Sequence, residues 1–269
     1  MLGMAVFATG AGLVGTAAAA ANAPTCSDVH YSGAGNTDDP YEVGNVSQLQ
    51  CINGDHGDAD SRSDALSANY TLANDIDASG TKHWNGGKGF EPIGDTSTYF
   101  TGALDGNGHE ISNVTIDRPN ESSVGLFGYS GAHKNPATIE NVTLSGITVI
   151  GGEDTGGLVG TVWLGTIENT GVTATVDGHS GTGGVIGFND GGAVRNVSSS
   201  GSVNGSTYVG GLVGVSGDGE KVISNSSSTS DVTGRKYVGG LAGGRYGYKV
   251  RNSFAAGEVT GDSNVGGLW

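Results

Sequence analysis

Asp75 and Asp77 stand two residues apart at the end of Tyr70-Thr71-Leu72-Ala73-Asn74-Asp75-Ile76, a run of strand character, so both carboxylates would share one strand face. Glycoside hydrolysis needs such a pair, one acid to donate a proton and one to act as base or nucleophile. Glu140 and Glu168 form a second set, one residue ahead of an Asn in consecutive repeat units, with Arg195, Ser224 and Arg251 in the same place later. That column reads either as a polysaccharide-facing surface or as a plain mixed-charge solvent face. Asp55, Asp58 and Asp60 are calcium candidates, since calcium takes carboxylate oxygens. Arg62 at a ligand position and Ser63 in place of the turn glycine exclude an EF-hand and leave only a looser site. His109-Glu110 opens like a zinc-peptidase string, but Asn113 occupies the place of the second His. The six His are scattered and none adjoins a nucleophile motif, so no catalytic residue and no obligatory cofactor is assigned.

Recognition chemistry has other candidates. Tyr208 and Tyr237 hold equivalent positions in adjacent units and should stack on one face. Such a pair is either an aromatic platform for a sugar or peptide or ordinary cross-strand packing.

The element that positions these residues is a repeat. Ile111-x-Asn113, Ile139-x-Asn141, Ile167-x-Asn169, Val194-x-Asn196, Ile223-x-Asn225 and Val250-x-Asn252 recur with Asn spacings of 28, 28, 27, 29 and 27 residues. Each unit also carries a Gly-flanked apolar run, such as Gly156-Gly157-Leu158-Val159-Gly160 or Gly210-Gly211-Leu212-Val213-Gly214, and a Val-x-Gly end, such as Val176-x-Gly178. Three strand-sized pieces without a helical period predict an all-β fold, a right-handed parallel β-helix or solenoid with coils of 27–29 residues. If each Asn shares the inward face of its Ile or Val, the six amides form a buried ladder. Eight N-x-Ser/Thr sequons occur, at Asn45, Asn69, Asn113, Asn120, Asn141, Asn196, Asn204 and Asn225. An inward ladder would silence the four that fall on it, Asn113, Asn141, Asn196 and Asn225.

Bulk composition narrows the partners. The 269 residues carry 27 acidic and 12 basic side chains, a net charge of −15 with no basic cluster. Nucleic acid and anionic membrane surfaces are therefore poor partners. The uncharged, Ala- and Gly-rich run before Ala21-Asn22-Ala23 reads as a signal peptide over 1–23, although it lacks a preceding Lys or Arg. No membrane span is expected in the mature chain. Two cysteines, Cys26 and Cys51, suit one disulfide in an exported protein. Residues 24–99 lack the repeat period and are read as an N-terminal capping segment, with a helix over Asn45–Ile52 that Ser47 could cap and an exposed loop over Asn53–Asp64. Residues 100–269 form the array. Its last unit stops mid-strand at Gly266-Gly267-Leu268-Trp269, as in a fragment or an end completed by a partner, and an open strand edge there would favour end-to-end self-association.

The Gly-Gly-Leu-Val-Gly units, phased with Asn169 and Asn225, resemble the GLUG motif of bacterial and archaeal surface proteins, adhesins and some secreted immunoglobulin A peptidases. Asp39-Pro40-Tyr41, Asn74-Asp75-Ile76-Asp77, Phe90-Glu91-Pro92-Ile93-Gly94 and Asp105-Gly106-Asn107-Gly108 look like the segment that commonly precedes such repeats. The resemblance spans roughly residues 38–269 and implies a β-helical scaffold on or outside the cell without fixing an activity. The expected function is a secreted or cell-surface solenoid that binds a glycan or protein as an adhesin module. The rival is a polysaccharide-active β-helical enzyme, or the accessory module of a larger secreted hydrolase or peptidase.

Overall fold

The computed structural model describes residues 22–54, 56–217, 221–244 and 248–268. The signal-peptide run lies outside them except for its last two residues, as does Asp55. Strands rich in Val, Ile, Ser and Thr, each too short to stand alone, pair in parallel with the same side of the next coil. Hydrogen bonds then run along the stack, and each coil covers its neighbour's apolar edge. The long side passes through Tyr41–Val43, Asn69–Leu72, Ala103–Asp105, Ala137–Glu140, Gly165–Asp177, Gly192–Asn204, Lys221–Ser224 and Tyr248–Arg251. The second side stacks Thr155–Gly156, Ser180–Gly183, Thr207–Gly210, Lys236–Gly239 and Ser263–Gly266. The third stacks Phe127–Ser130, Val159–Val162, Ile186–Asn189 and Val213–Ser216. The eight strands of the long side make a parallel β-solenoid of eight coils, the architecture that the repeat predicts.

The Asn ladder is present, but it faces outward. Asn141, Asn169, Asn196, Asn225 and Asn252 have φ between 48° and 54°, the left-handed region that Asn tolerates better than other residues with a side chain. A left-handed residue turns the chain and breaks the strand alternation. Ile139, Ile167, Val194 and Ile223 therefore point inward, the Asn stands at a corner on the surface, and Val142, Thr170, Val197 and Ser226 point inward again. The amides still bond coil to coil. Asn141 Nδ2 donates to Asp105 Oδ1 at 2.9 Å, Asn169 to Asn141 Oδ1 at 3.2 Å, Asn196 to Asn169 Oδ1 at 2.8 Å and Asn252 to Asn225 Oδ1 at 3.2 Å. Burial does not silence the sequons on this column.

Asn113 is not a member. Leu104, not Ile111, pairs with Ile139, whereas Ile111 pairs with Leu144 one corner further on. Asn113 is also left-handed and donates instead to Asp77 Oδ1 at 3.1 Å. Its spacing from Asn141 matches the period although the two belong to different corners. Gly146, φ +61°, sits in a bulge one coil further on, where the register of Leu144 and Ile147 against Val172 and Ala174 slips by one residue.

Each Gly-Gly-Leu-Val-Gly run is not one strand but a corner, leaving the second side at its first glycine and entering the third side at its valine. Leu158 and Val159 are neighbours and both fully buried, as are Leu212 and Val213, which a straight strand forbids. The last glycine of each run permits the coils to close up: a Cβ on Gly160 would stand 2.2 Å from the Ser123 carbonyl carbon. Toward the C-terminus the core thins. The inward column Leu144, Val172, Ser199, Ser228 replaces aliphatic side chains by hydroxyls, and Ser199 Oγ donates to the Gly211 carbonyl at 2.6 Å.

The N-terminal segment contributes the first two strands of the long side and closes that end. Helix α1 (Val46–Cys51) is capped by Asn45, whose side chain accepts from the Gln48 amide, and not by Ser47. The stretch expected as a loop, Asn53–Asp64, runs at its end into a second helix, α2 (Arg62–Ser67), capped by Ser61 and buried through Ala65 and Leu66. Cys26 and Cys51 form a disulfide, with Cα atoms 5.2 Å apart. Tyr31, Tyr41, Tyr70 and His56 pack together, with His56 edge-on to all three tyrosines, and Trp84, Phe90, Phe100 and Phe127 continue the core into the repeats.

Candidate functional site

A second left-handed corner runs up the second side. Ser123, Asp154, Gly181, Tyr208, Tyr237 and Asn264 all have φ between 54° and 68°. Strand register places them one above another, because Val124, Thr155, Thr182, Val209, Val238 and Val265, the residues that follow them, are successive partners. Gly and Asn adopt this conformation readily, but for a tyrosine it is strained, by roughly 1–2 kcal/mol. Two consecutive coils nevertheless hold a tyrosine there. The rings stack with centroids 4.9 Å apart and an angle of 6° between planes, and the Lys236 ammonium lies 4.8 Å from the centre of the Tyr237 ring. Both tyrosines are half-buried. An aromatic stack of this kind returns about 0.5–1.5 kcal/mol beyond area burial, which offsets much of the backbone strain.

The third side adds further aromatic surface around the same corner. Tyr129, Thr161, Phe188 and Val215 are in register on its outer face. Tyr99 stacks on Tyr129 at 5.6 Å, and Trp163 bridges His133 and Phe188.

The acidic candidates do not converge. Asp75 Oδ1 accepts from the Glu110 amide at 3.0 Å and meets His109 Nδ1 at 3.2 Å; those two contacts hold the carboxyl below its ordinary value. Asp77 accepts from Asn113 and from Ser79, which lower it likewise. Each of the two is thus occupied by its own partners. Glu140, Glu168, Arg195, Ser224 and Arg251 are in register on the long side, and among the described residues no ion pair forms along that column.

Asp58 Oδ2 accepts from the Tyr31 amide at 2.7 Å and its Oδ1 meets His30 at 3.2 Å. Partial burial pushes its carboxyl up, but these partners outweigh it and hold the group low. Asp58 and Asp60 line an open cavity of about 310 Å³ with Gly35, Tyr41 and Asp64. Among the described residues no group of three His, Cys, Asp or Glu is placed to hold a metal ion. Asp105 accepts from the Asn107 amide at 2.8 Å and from Asn141, as a turn residue does.

Sequence reasoning found the two tyrosines but missed Asp154 and the corner they belong to. The signal was present: Asp154, Gly181, Tyr208, Tyr237 and Asn264 each stand two residues ahead of a Gly-Gly pair. Nothing in their types, acid, glycine and aromatic, suggests a shared conformation.

No known family profile matches the chain. Over 145 residues, 53% of its length, it is 48% identical to halomucin from Haloquadratum walsbyi, of which the match spans 1%. Over 150 residues it is 34% identical to a protein inferred to be a Gly-rich membrane protein from Evansella cellulosilytica, of which the match spans 16%. Among solved structures it is similar to an inferred immunoglobulin A1 protease from Bacteroides ovatus, with a TM-score of 0.59 and 20% identity over 86% of this chain and 79% of that one. That likeness shows the β-helical fold. Among the described residues no helix is long and apolar enough to cross a membrane.

Proposed function

We propose that this chain is a surface-associated β-solenoid module that works outside the cell as an adhesin, binding a glycan or a protein through the Tyr208–Tyr237 corner. The observation that carries the reading is the repeated strain at that corner: two bulky residues held at φ 57° in adjacent coils, stacked and half-exposed, where Gly or Asn would fit more easily. The disulfide fits an oxidising compartment, and a relative named as a mucin fits an extracellular setting. The Gly-Gly-Leu-Val-Gly units are read as GLUG-type repeats on the same grounds as their sequence pattern.

The test is a glycan array together with an extracellular-protein panel, probed with the wild type and with the Tyr208→Ala/Tyr237→Ala double variant. The reading expects at least one specific ligand whose binding falls tenfold or more in the double variant. A ligand bound equally by both proteins removes the tyrosine corner from the function.

A further inference from the structure

Between Asp154 and Tyr208 the corner column has a vacancy in its side chains, because the residue between them is Gly181. Asp154 and Tyr208 are two coil steps apart, about 9.5 Å along the stack. The Asp154 carboxylate leans into this space: its Oδ1 is 2.6 Å from where a Gly181 Cβ would stand. Val215 forms the floor. One of its methyls lies 3.2 Å from that same Cβ position, and the other lies 3.1 Å from the Cβ position of Gly244, against which Tyr208 Cδ1 rests at 2.5 Å. The slot thus has a carboxylate wall, an aromatic wall and a methyl floor. Tyr237 covers one face of Tyr208, so the face toward the Gly181 coil is the open one.

Asp154 is a half-buried carboxylate that no hydrogen bond or ion pair reaches among the described residues. Burial and the neighbouring charge of Glu153 push its carboxyl up to about 6. A partly buried anion without a partner is costly, and the cost disappears when a cation arrives with donors of its own. The geometry restricts which cation. A flat group about 3.5 Å from each wall fits between a ring face and a carboxylate, and it must donate, because a carboxylate only accepts. A saccharide hydroxyl could donate to Asp154 but would leave the charge of the carboxylate uncompensated. A guanidinium offers a planar face for Tyr208, paired N–H donors for Asp154 and methylenes for Val215. The net charge of −15 favours a basic partner.

We propose that the slot formed by Asp154, Gly181, Tyr208 and Val215 receives the guanidinium of an arginine side chain on a partner protein. This rests on the binding-module reading and narrows its partner to a protein segment bearing arginine. The apolar strip of Phe188 and Trp163 beside the slot accommodates the residues that flank that arginine.

The probe is a blocked Gly-Gly-Arg-Gly-Gly peptide, titrated into the intact protein by calorimetry and by NMR of the tyrosine ring signals. Citrulline and lysine analogues of the peptide serve as controls. The arginine peptide should shift the Tyr208 signals with a millimolar or tighter Kd, and neutral citrulline should bind at least tenfold more weakly. Lysine should lose several-fold. Asp154→Asn and Tyr208→Ala should each weaken the arginine peptide about tenfold. Gly181→Asn, which keeps the left-handed backbone but fills the slot, should abolish the shift while circular dichroism stays unchanged. Equal binding of arginine and citrulline peptides, undiminished binding by Asp154→Asn, or no shift up to about 10 mM would overturn the slot. If a panel ligand depends on Tyr208 and Tyr237 but is indifferent to Asp154→Asn, the binding corner stands and the arginine slot falls. If no ligand depends on the tyrosines, the broader reading falls with it.

Discussion

Asn169 donates to Asn141 and accepts from Asn196, so it holds two rungs while sitting in a left-handed turn. Replacing it by Ala removes both bonds and puts a Cβ with no compensating amide at φ 50°. The expected loss is about 2–3 kcal/mol, from one or two net hydrogen bonds and the left-handed penalty. Asn169→Gly keeps the turn at low steric cost and should lose roughly half as much; urea melts of the two variants separate ladder from turn. The residue types of this column were legible in the sequence, but their direction was not. Ile-x-Asn reads as one face only if the backbone is extended, and the fact that decides the matter, an inward Val142 or Val197 right after the Asn, looks like a break in the alternation. Asp154 makes the opposite kind of contribution. Its folded value of about 6 lies above the ordinary 3.8, so it costs nothing below pH 4, where both states are protonated. Stability is lost as pH rises from about 4 to about 6 and stays lost above it. Asp154→Asn should therefore be the more stable protein at pH 7.5, on the order of 2 kcal/mol after partial screening, with the gap closing below pH 4 in denaturant melts. Asp77 pulls the other way: held low by Asn113 and Ser79, it contributes stability above its ordinary range that fades as pH falls through it.

At the scale of elements, the coils are set by how closely backbones approach at the corners. A Cβ on Gly187 would stand 2.3 Å from the Asp154 carbonyl carbon, backbone against backbone, where no rotamer change helps. Gly187→Ala should cost about 3 kcal/mol or more and lower the thermal midpoint, whereas Gly171→Ala, whose nearest neighbour is the Ser198 hydroxyl at 3.6 Å, should change it little. Gly171→Ala as damaging as Gly187→Ala would mean that the corners are not what spaces the coils. The repeat length and the glycine phase made the solenoid readable from sequence. The capping end was read less well for a physical reason. Helix α2 buries only Ala65 and Leu66, too few apolar residues to show a helical period, and its start depends on Ser61 and Asp64 amid a run of polar residues that otherwise resembles a loop.

For the whole molecule, stacking turns single residues into columns, so recognition is a property of a face. The long side presents Glu168 and Arg195 as a mixed-charge surface, the Asn corner presents bonded amides, and the second left-handed corner combines stacked aromatic rings with a carboxylate that no hydrogen bond reaches among the described residues. The stacking of Tyr208 on Tyr237 followed from equivalent sequence positions; that Asp154 joins them across Gly181 did not, because it depends on a backbone conformation shared by unlike residues. The working face proposed for this molecule is that corner. Binding of any ligand identified on the glycan and protein panel should therefore be compared in two variants of the intact protein, Tyr208→Ala/Tyr237→Ala at the corner and Glu168→Ala/Arg195→Ala on the long side. A working corner gives a loss of tenfold or more for the first and less than twofold for the second. Retained binding in the corner variant with loss in the long-side variant would contradict it.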